Sequence, residues 1–317
     1  MIGFGPVPSR RLSRSLGINN IPAKVCSYSC VYCQLGKTIK VSVERQNFYP
    51  CDFVFEQIRR KVKEVEEKRE HIDYLTFVPD GEPTLDVNLG KEIDLLKSLG
   101  TKIAVITNGS LIYRDDVKND LAKADLVSLK VDAVTEDIWD RIDRPDKALK
   151  LEEIKEGMLK FTRMFKKILI TETMFTAGLN DDEEEIKNIA EFLGELNPAR
   201  VYIATPTRPP AEDWVKPIDE RSANSAYQIF SKYISEDKLE YLMCYEGNAF
   251  TLTNSVEETL LSTTSVHPMR VEAVKELLNK SKVYDWNIVK RLIDEKKLIE
   301  LEYEGHKFYM RRIPGRQ

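Results

Sequence analysis

Cysteine is scarce in this chain, with 5 among 317 residues, and that scarcity bounds the metal chemistry. Outside one local group only Cys51 and Cys244 remain. Two thiols are too few for a further iron–sulfur cluster with its usual three or four cysteine ligands. Histidine is scarcer still, with 3. His71, His267 and His306 show no ligand spacing and read as structural or solvated. No second Cys/His pair completes a structural zinc site. No run reaches the roughly 18 apolar residues of a membrane span, and the opening Met1-Ile2-Gly3-Phe4-Gly5-Pro6 lacks the charged-then-apolar order of a secretory signal. Neither sign of charge is in large excess: 48 Lys+Arg face 52 Asp+Glu, a net charge of −4. Bulk attraction to nucleic acid is therefore excluded, and only a local basic patch could supply it. Internal repeats and low-complexity segments are absent. These absences predict a cytoplasmic protein with no membrane association, which agrees with thiols kept reduced.

What is present is concentrated in Cys26-Ser27-Tyr28-Ser29-Cys30-Val31-Tyr32-Cys33. A cuboidal [4Fe–4S] cluster normally takes four cysteine ligands. A compact loop offering three leaves one iron open to another ligand. The competing readings are a zinc site, which lacks its second ligand pair, and incidental buried thiols, which would not gather in a chain so poor in cysteine. At these residues the chain resembles the radical S-adenosylmethionine superfamily, whose signature has this spacing and often an aromatic residue, here Tyr32, before the third cysteine. The resemblance implies a radical S-adenosylmethionine Fe–S oxidoreductase. Its open iron would be chelated by the amino and carboxylate groups of S-adenosylmethionine. One electron, from a donor such as ferredoxin or flavodoxin, would cleave the sulfonium to methionine and a 5′-deoxyadenosyl radical that abstracts a substrate hydrogen.

Short apolar runs alternate with longer amphipathic ones from about residue 15 to 235. The expected strands are Ser15–Ile18, Tyr74–Val78, Lys102–Thr107, Leu126–Val131, Lys167–Thr173 and Arg200–Ala204. The expected helices are Phe53–Lys68, Val87–Leu99, Asp115–Ala122, Leu151–Phe165, Asp181–Leu196 and Asp219–Ser235. Six strand–helix units predict an α/β fold, a partial (β/α)6 TIM-like barrel with its working face at the C-terminal strand ends. The superfamily resemblance implies the same fold. The cysteines, Gly81-Glu82-Pro83, Asn108-Gly109-Ser110 and the end of the fourth strand all fall on that face. After about Ser255 the pattern changes to helices at Val256–Leu261, Arg270–Asn279 and Asp285–Lys296, then strand-like runs Leu298–Tyr303 and His306–Arg312 across a Glu304-Gly305 turn. That order predicts a winged-helix-like C-terminal domain at 251–317, after a core domain at 1–250. Lys290, Arg291, Lys296, Lys297, Lys307, Arg311 and Arg312 could meet nucleic acid there, or be simply solvated, since Glu300, Glu302 and Glu304 offset them.

Gly81 follows a strand where a glycine lets a ligand approach the backbone. Gly81 and Glu82 resemble the superfamily segment that receives the methionyl ammonium. Ser128, Lys130 and Asp132 alternate on one strand and share a face, so they are candidates for a polar ligand, with a Lys130–Asp132 structural pair as the alternative. The resemblance places S-adenosylmethionine's ribose or carboxylate there. Asn108 reads as a turn residue or a ligand contact, and Thr173 is a further candidate of that kind. Arg10, Arg11 and Arg14 suit a carboxylate or phosphate near the site, or form a solvated arm, and Arg208 could reach the barrel mouth. No catalytic residue is identified. Cys244 reads as a buried thiol, with a hydrogen donor or nucleophile as the alternative.

Within the superfamily the chain most resembles the wyosine-synthetase-like Fe–S oxidoreductases, over about residues 5–210. The matching features are the cysteine loop running into Gln34-Leu35-Gly36, Gly81-Glu82-Pro83, Thr107-Asn108-Gly109 and Ile142-Asp143-Arg144-Pro145. Wyosine synthetases carry a second cluster on upstream cysteines, and no cysteine precedes Cys26 here, so the wyosine reaction itself is not expected. Three functions remain: a single-cluster radical enzyme acting on a nucleoside or RNA, a glycyl-radical activase acting on a partner protein, and a non-catalytic Fe–S sensor that binds DNA.

Overall fold

The computed structural model describes residues 1–243, 250, 255–281 and 285–312. Cys244 lies outside the described residues, and the expected domain boundary abuts residues 251–254, also outside them. The chain opens with strands β1 (Gly3–Ser9), β2 (Ser13–Ile18), β3 (Val25–Cys26) and β4 (Lys40–Val41), then helix α1 (Cys51–Glu67). There follow β5 (Tyr74–Phe77), α2 (Leu89–Leu96), β6 (Lys102–Thr107), α3 (Asp115–Leu121), β7 (Leu126–Lys130), α4 (Glu136–Ile142) and α5 (Leu151–Met164). The alternation continues through β8 (Ile168–Met174), α6 (Glu183–Leu196), β9 (Arg200–Ala204), α7 (Glu220–Phe230) and β10 (Leu239–Leu242). Asp182 caps α6, accepting from the Glu185 amide at 3.0 Å.

All six expected strands are present, and the sheet carries two more. Its order is β1-β2-β5-β6-β7-β8-β9-β10, a curled half-barrel of eight strands. β1 runs antiparallel to β2, and the other neighbours are parallel. β1 carries Pro6 and Pro8, residues that a ladder tolerates only at an edge, so its sequence did not read as a strand. β10 is a four-residue edge.

The pleat divides the strands into two sets. Leu75, Phe77, Ile103, Val105, Val127, Leu129, Val201 and Ile203 face the helices and bury with them in the main core. Ala104, Leu126, Ile170 and Tyr202 face the bore, where they close around Leu12. Leu12 belongs to the β1–β2 turn, so the N-terminal hairpin folds back into the half-barrel and plugs its lower part.

The C-terminal unit contains α8 (Val256–Thr263), β11 (Met269–Arg270), α9 (Val271–Lys280), α10 (Asn287–Asp294), β12 (Leu298–Tyr303) and β13 (His306–Arg311). Its three strands pair in the order β11-β13-β12, and Glu304 and Gly305 turn at φ +48° and +71°, the left-handed geometry of a two-residue hairpin. Its core is not its own alone. Phe4 and Val7 of β1 bury with Val256, Leu260, Met269, Val274 and Tyr309. The Phe4 ring lies so close to Gly17 that a Cβ there would come within 1.9 Å of it. β1 therefore joins the half-barrel sheet by its backbone and the C-terminal core by its side chains. Among the described residues no helix is long and apolar enough to cross a membrane.

Phe4→Ala should cost about 3–5 kcal/mol in urea unfolding, as for a buried aromatic lost from a packed core. A loss below about 0.5 kcal/mol, the usual size for a surface position, would mean that β1 is an arm and not a shared wall.

Candidate active site

The cysteine loop leaves β3 with little regular structure, and its backbone is fastened from all sides. Lys24 N donates to Asp80 O at 2.6 Å and Glu82 N to Val25 O at 3.1 Å. Gly81 sits at φ +152°, where a Cβ would lie 1.9 Å from Val25 O. The glycine is thus required by the chain's own backbone, where the sequence suggested a ligand's approach. Ser29 N donates to Asp143 O at 3.0 Å, Val31 N to Ile142 O at 2.9 Å, and Asp146 N to Ser27 O at 2.9 Å. Glu212 N reaches Val31 O at 3.1 Å, and Ser42 N reaches Cys26 O at 3.0 Å. Ile142-Asp143-Arg144-Pro145 acts as a clamp on the loop.

Cys26, Cys30 and Cys33 are each half-buried. Burial pushes the Cys26 and Cys30 thiols up, followed by Glu82 at Cys26 and Asp143 at Cys30, and Cys26 and Cys30 also sense other thiols of the trio. The three sulfurs therefore share one region. Among the described residues no three Cys, His, Asp or Glu side chains close tightly enough to hold a single metal ion. Thiolates are the donors that iron–sulfur clusters take, and a cuboidal cluster binds each cysteine on a separate iron. Cys51 starts α1, and its thiol senses Glu92 and Asp86 instead.

Glu82 is fully engaged by protein. Its carboxylate accepts from Thr84 N at 3.0 Å, the Thr84 and Thr107 hydroxyls at 2.6 Å each, and Asn108 N at 2.8 Å. It braces the ends of β5 and β6, with Oε1 taking three of these bonds and Oε2 one. Asn108 Nδ2 donates to Ser27 Oγ at 3.0 Å and lies 3.6 Å from Cys26 Sγ.

Opposite the loop, the bore carries a buried chain of charges. Arg11 bonds Glu172, Lys130 Nζ lies 2.9 Å from Glu172 and 3.4 Å from Asp132, and Tyr32 OH donates to Asp132. Met174 N donates to the other Asp132 oxygen at 2.6 Å. The Lys130 ammonium also stands 4.9 Å above the Tyr32 ring, a cation–π contact. Burial opposes ionisation of Glu172, but Arg11 and Lys130 pull its pKa down to about 2. Burial likewise opposes the Lys130 charge, and Asp132 and Glu172 overcome it and push its pKa up. Burial pushes Asp132 and Asp143 up.

A cavity of about 260 Å³ lies between these parts, lined by Tyr32, Cys33, Lys130, Glu172, Met174 and Arg208 among others. A smaller one beside it shares Arg11 and Arg208 and extends to His267. Arg208 donates to Gln34 Oε1 at 2.7 Å and lies 3.1 Å from His267 Nε2. His267 is buried and so brings the C-terminal unit to the cleft, a position its sequence context did not signal.

The structure separates the sequence candidates. Tyr32, Lys130 and Cys33 line the cavity, and Asp132 anchors Lys130 from just beyond the end of β7. Ser128 is buried with its hydroxyl unpartnered, paired in register with Ile106 and Ile170. Thr173 faces away from the bore, its hydroxyl donating to Val131 O at 2.8 Å. The arginines diverge: Arg11 enters the cavity, Arg10 bonds Tyr241 O and Arg14 pairs with Glu70. Neither a three-arginine anion clamp nor a solvated arm results. Glu172 was missed, although Ile170, Glu172 and Met174 alternate beside Lys130 in the β7–β8 register.

A family model described as the radical SAM superfamily matches residues 20–193. A UPF0026 protein of Methanocaldococcus jannaschii is 50% identical over 315 residues, covering 99% of this chain and 97% of that protein. A radical SAM methyltransferase of Sphaerobacter thermophilus superposes with a TM-score of 0.55 at 14% identity, over 72% of this chain and 66% of that one. Streptococcus suis SuiB bound to S-adenosylmethionine superposes with a TM-score of 0.52 at 16% identity, over 71% and 49%. At such identities the two structures show the shared fold.

Folding lowers the Glu172 pKa from 4.5 to about 2, so its contribution is complete above about pH 4.5 and is lost as pH falls toward 2. Glu172→Gln should therefore be less stable than wild type at pH 7, with the gap in urea midpoint narrowing on acidification. A gap constant from pH 7 to 3 would show that Glu172 is not held ionised by Arg11 and Lys130.

Proposed function

The chain belongs to the radical SAM superfamily and to the UPF0026 proteins, and on that premise we propose that it is a single-cluster enzyme whose Cys26, Cys30 and Cys33 hold a [4Fe–4S] cluster and whose cavity beside Cys33 takes S-adenosylmethionine. The observation that carries this reading is the cavity itself, with Cys33 and Tyr32 on one wall and Lys130, with its carboxylate partners, on the other. When bound, the cluster and S-adenosylmethionine supply one-electron reductive cleavage to methionine and a 5′-deoxyadenosyl radical, with the electron drawn from a ferredoxin- or flavodoxin-like donor.

The chain's own residues orient and shield. Lys130 offers its ammonium to an anionic group of the ligand, held in place by Glu172 and Asp132. Tyr32 fixes Asp132 and lies under Lys130, so the third cysteine and the cation are set relative to each other. Asn108 supports the side of the loop that carries Cys26. Leu35, Val78, Ile106 and Met174 line the cavity with apolar surface, which excludes water from a reactive centre. Gly81 and Glu82 act through the loop they brace, and Ser128 and Thr173 take no part in this arrangement.

We read the C-terminal unit as winged-helix-like, following a core of residues 1–250. Part of its positive charge is already matched, which weighs against nucleic acid gripped by the wing, while Lys290, Lys296, Arg311 and Arg312 make no ion pair with any described residue. Arg291 and Lys297 pair with Glu257 and Glu295, and Lys307 pairs with Glu300. With S-adenosylmethionine beside Cys33, a substrate would enter through the adjoining cavity that reaches His267, and an RNA would have to present its base there. A non-catalytic sensor would need no such cavity, and a glycyl-radical activase has no specific feature here in its favour.

Anaerobic reconstitution should yield about four irons per chain, lost in Cys30→Ala and kept in Cys51→Ala. A normal absorption spectrum and iron content in Cys30→Ala would remove the cluster assignment. With dithionite and S-adenosylmethionine, 5′-deoxyadenosine should form slowly without substrate. Lys130→Met should weaken S-adenosylmethionine binding about tenfold or more, the equivalent of one charge-assisted hydrogen bond, while iron content stays unchanged. Equal binding by Lys130→Met in equilibrium dialysis would take the cation out of the ligand site.

A further inference from the structure

The basic residues of the C-terminal unit fall into distinct sets. Arg291, Lys297 and Lys307 are neutralised as described, and Lys280 pairs with Glu276. Arg311 and Arg312, at the end of β13, make no ion pair with any described residue; the Arg311 side chain has only a 3.5 Å contact to Leu261 O. Both instead line a cavity of about 230 Å³ at the seam between the C-terminal unit and the half-barrel. Its barrel wall includes Ile21, Tyr49 and Asp80.

The charge in this cavity is unbalanced. Its one carboxylate, Asp80, is 3.2 Å from Lys24 Nζ, and both side chains are buried, so that negative charge is already matched. Two guanidinium charges remain in a concave site of small-molecule size. Guanidinium forks match the oxygens of phosphate in geometry as well as charge, and a phosphate dianion cancels both. Tyr49 adds a phenol, a neutral donor. A nucleic-acid backbone needs an accessible row of cations, and here the barrel forms the opposite wall.

We propose that this cavity binds a phosphate-bearing small molecule through Arg311 and Arg312, and that the bound anion ties the C-terminal unit to the half-barrel. The site is remote in chemistry from the cysteine loop, and its existence does not depend on the radical reading. The test uses the full chain as purified, titrated with inorganic phosphate and with pyrophosphate against chloride at matched ionic strength, read by thermal unfolding and calorimetry. A saturable rise in Tm is expected, with affinity at least about tenfold weaker in Arg311→Gln/Arg312→Gln, one lost charge-assisted contact being worth roughly that factor. Arg312→Gln alone, at an exposed position, should weaken binding in the same direction and guards against a misfolded double variant. No saturable effect of either anion, or equal binding by the variants, overturns the proposal. Arginine-dependent binding of a single-stranded oligonucleotide without binding of phosphate or pyrophosphate also overturns it, in favour of nucleic acid.

Discussion

The loop that carries the three thiols makes only part of its backbone hydrogen bonds within itself, such as Cys33 N to Cys30 O at 3.1 Å, and the rest of the site follows from how the remainder are met. Each buried amide and carbonyl needs a partner, and the segments that answer the cysteine loop come from different strand and helix ends. Asp80, Gly81 and Glu82 follow β5, Ile142 to Asp146 follow α4, and Glu212 follows β9. The same hydrogen bonds that remove the penalty of an irregular loop also fix where its sulfurs stand. Gly81 shows how tight the fit is, because any side chain there would enter the space of Val25 O. Glu82 has the matching role on the other side: its four bonds to Thr84, Thr107 and Asn108 keep neighbouring strand ends in step.

The bore imposes a second constraint, of charge. A lysine inside an apolar half-barrel is costly unless its charge is met. Two carboxylates would overcompensate one lysine, and Arg11 restores the balance from the β1–β2 turn. The alternating sequence Arg11–Glu172–Lys130–Asp132 is neutral in sum and held by the geometry of three separate segments. Pairing of this kind is weak evidence for stability. Its consequence is positional: Lys130 cannot wander, and a ligand meets a cation already oriented. The hairpin that delivers Arg11 also delivers Leu12 to the floor of the bore, so one short turn both fills the barrel and completes its electrostatics.

Much of this was legible in the sequence, and unevenly so. The six inner strands announced themselves as short runs of Val, Ile, Leu and Tyr, and the structure places them within a residue or two. The cysteine spacing gave the family, and Lys130 and Tyr32, picked out by alternation and adjacency, both stand on the wall of the cavity. β1 was hidden by its prolines and α4 by its brevity, since Glu136–Ile142 has too few turns for periodicity to register. Glu172 was hidden for another reason. A lone acid in a strand between threonines gains meaning only from its register with Lys130, and register between strands forty residues apart is a tertiary fact. Thr173 shows the converse, where nearness to a strand end suggested a role and the pleat turned the side chain outward.

The helices and strands of the C-terminal unit fall close to where the sequence placed them, and what the sequence did not show is the placement of its apolar surface. A separable docking module buries its own core and shows charge to its partner. Here Phe4 and Val7, the first strand of the half-barrel, belong to the C-terminal core, while His267 and Val266 line the smaller cavity that adjoins the cleft. Gln34, just after Cys33, donates to Val266 O at 3.3 Å, and Tyr303 OH donates to Pro206 O at 3.3 Å. These contacts link the segment following the third cysteine to the unit that covers it. Residues of the C-terminal unit therefore line the cavity that adjoins the cleft, so that unit is packed against the site and is not an appendage to it.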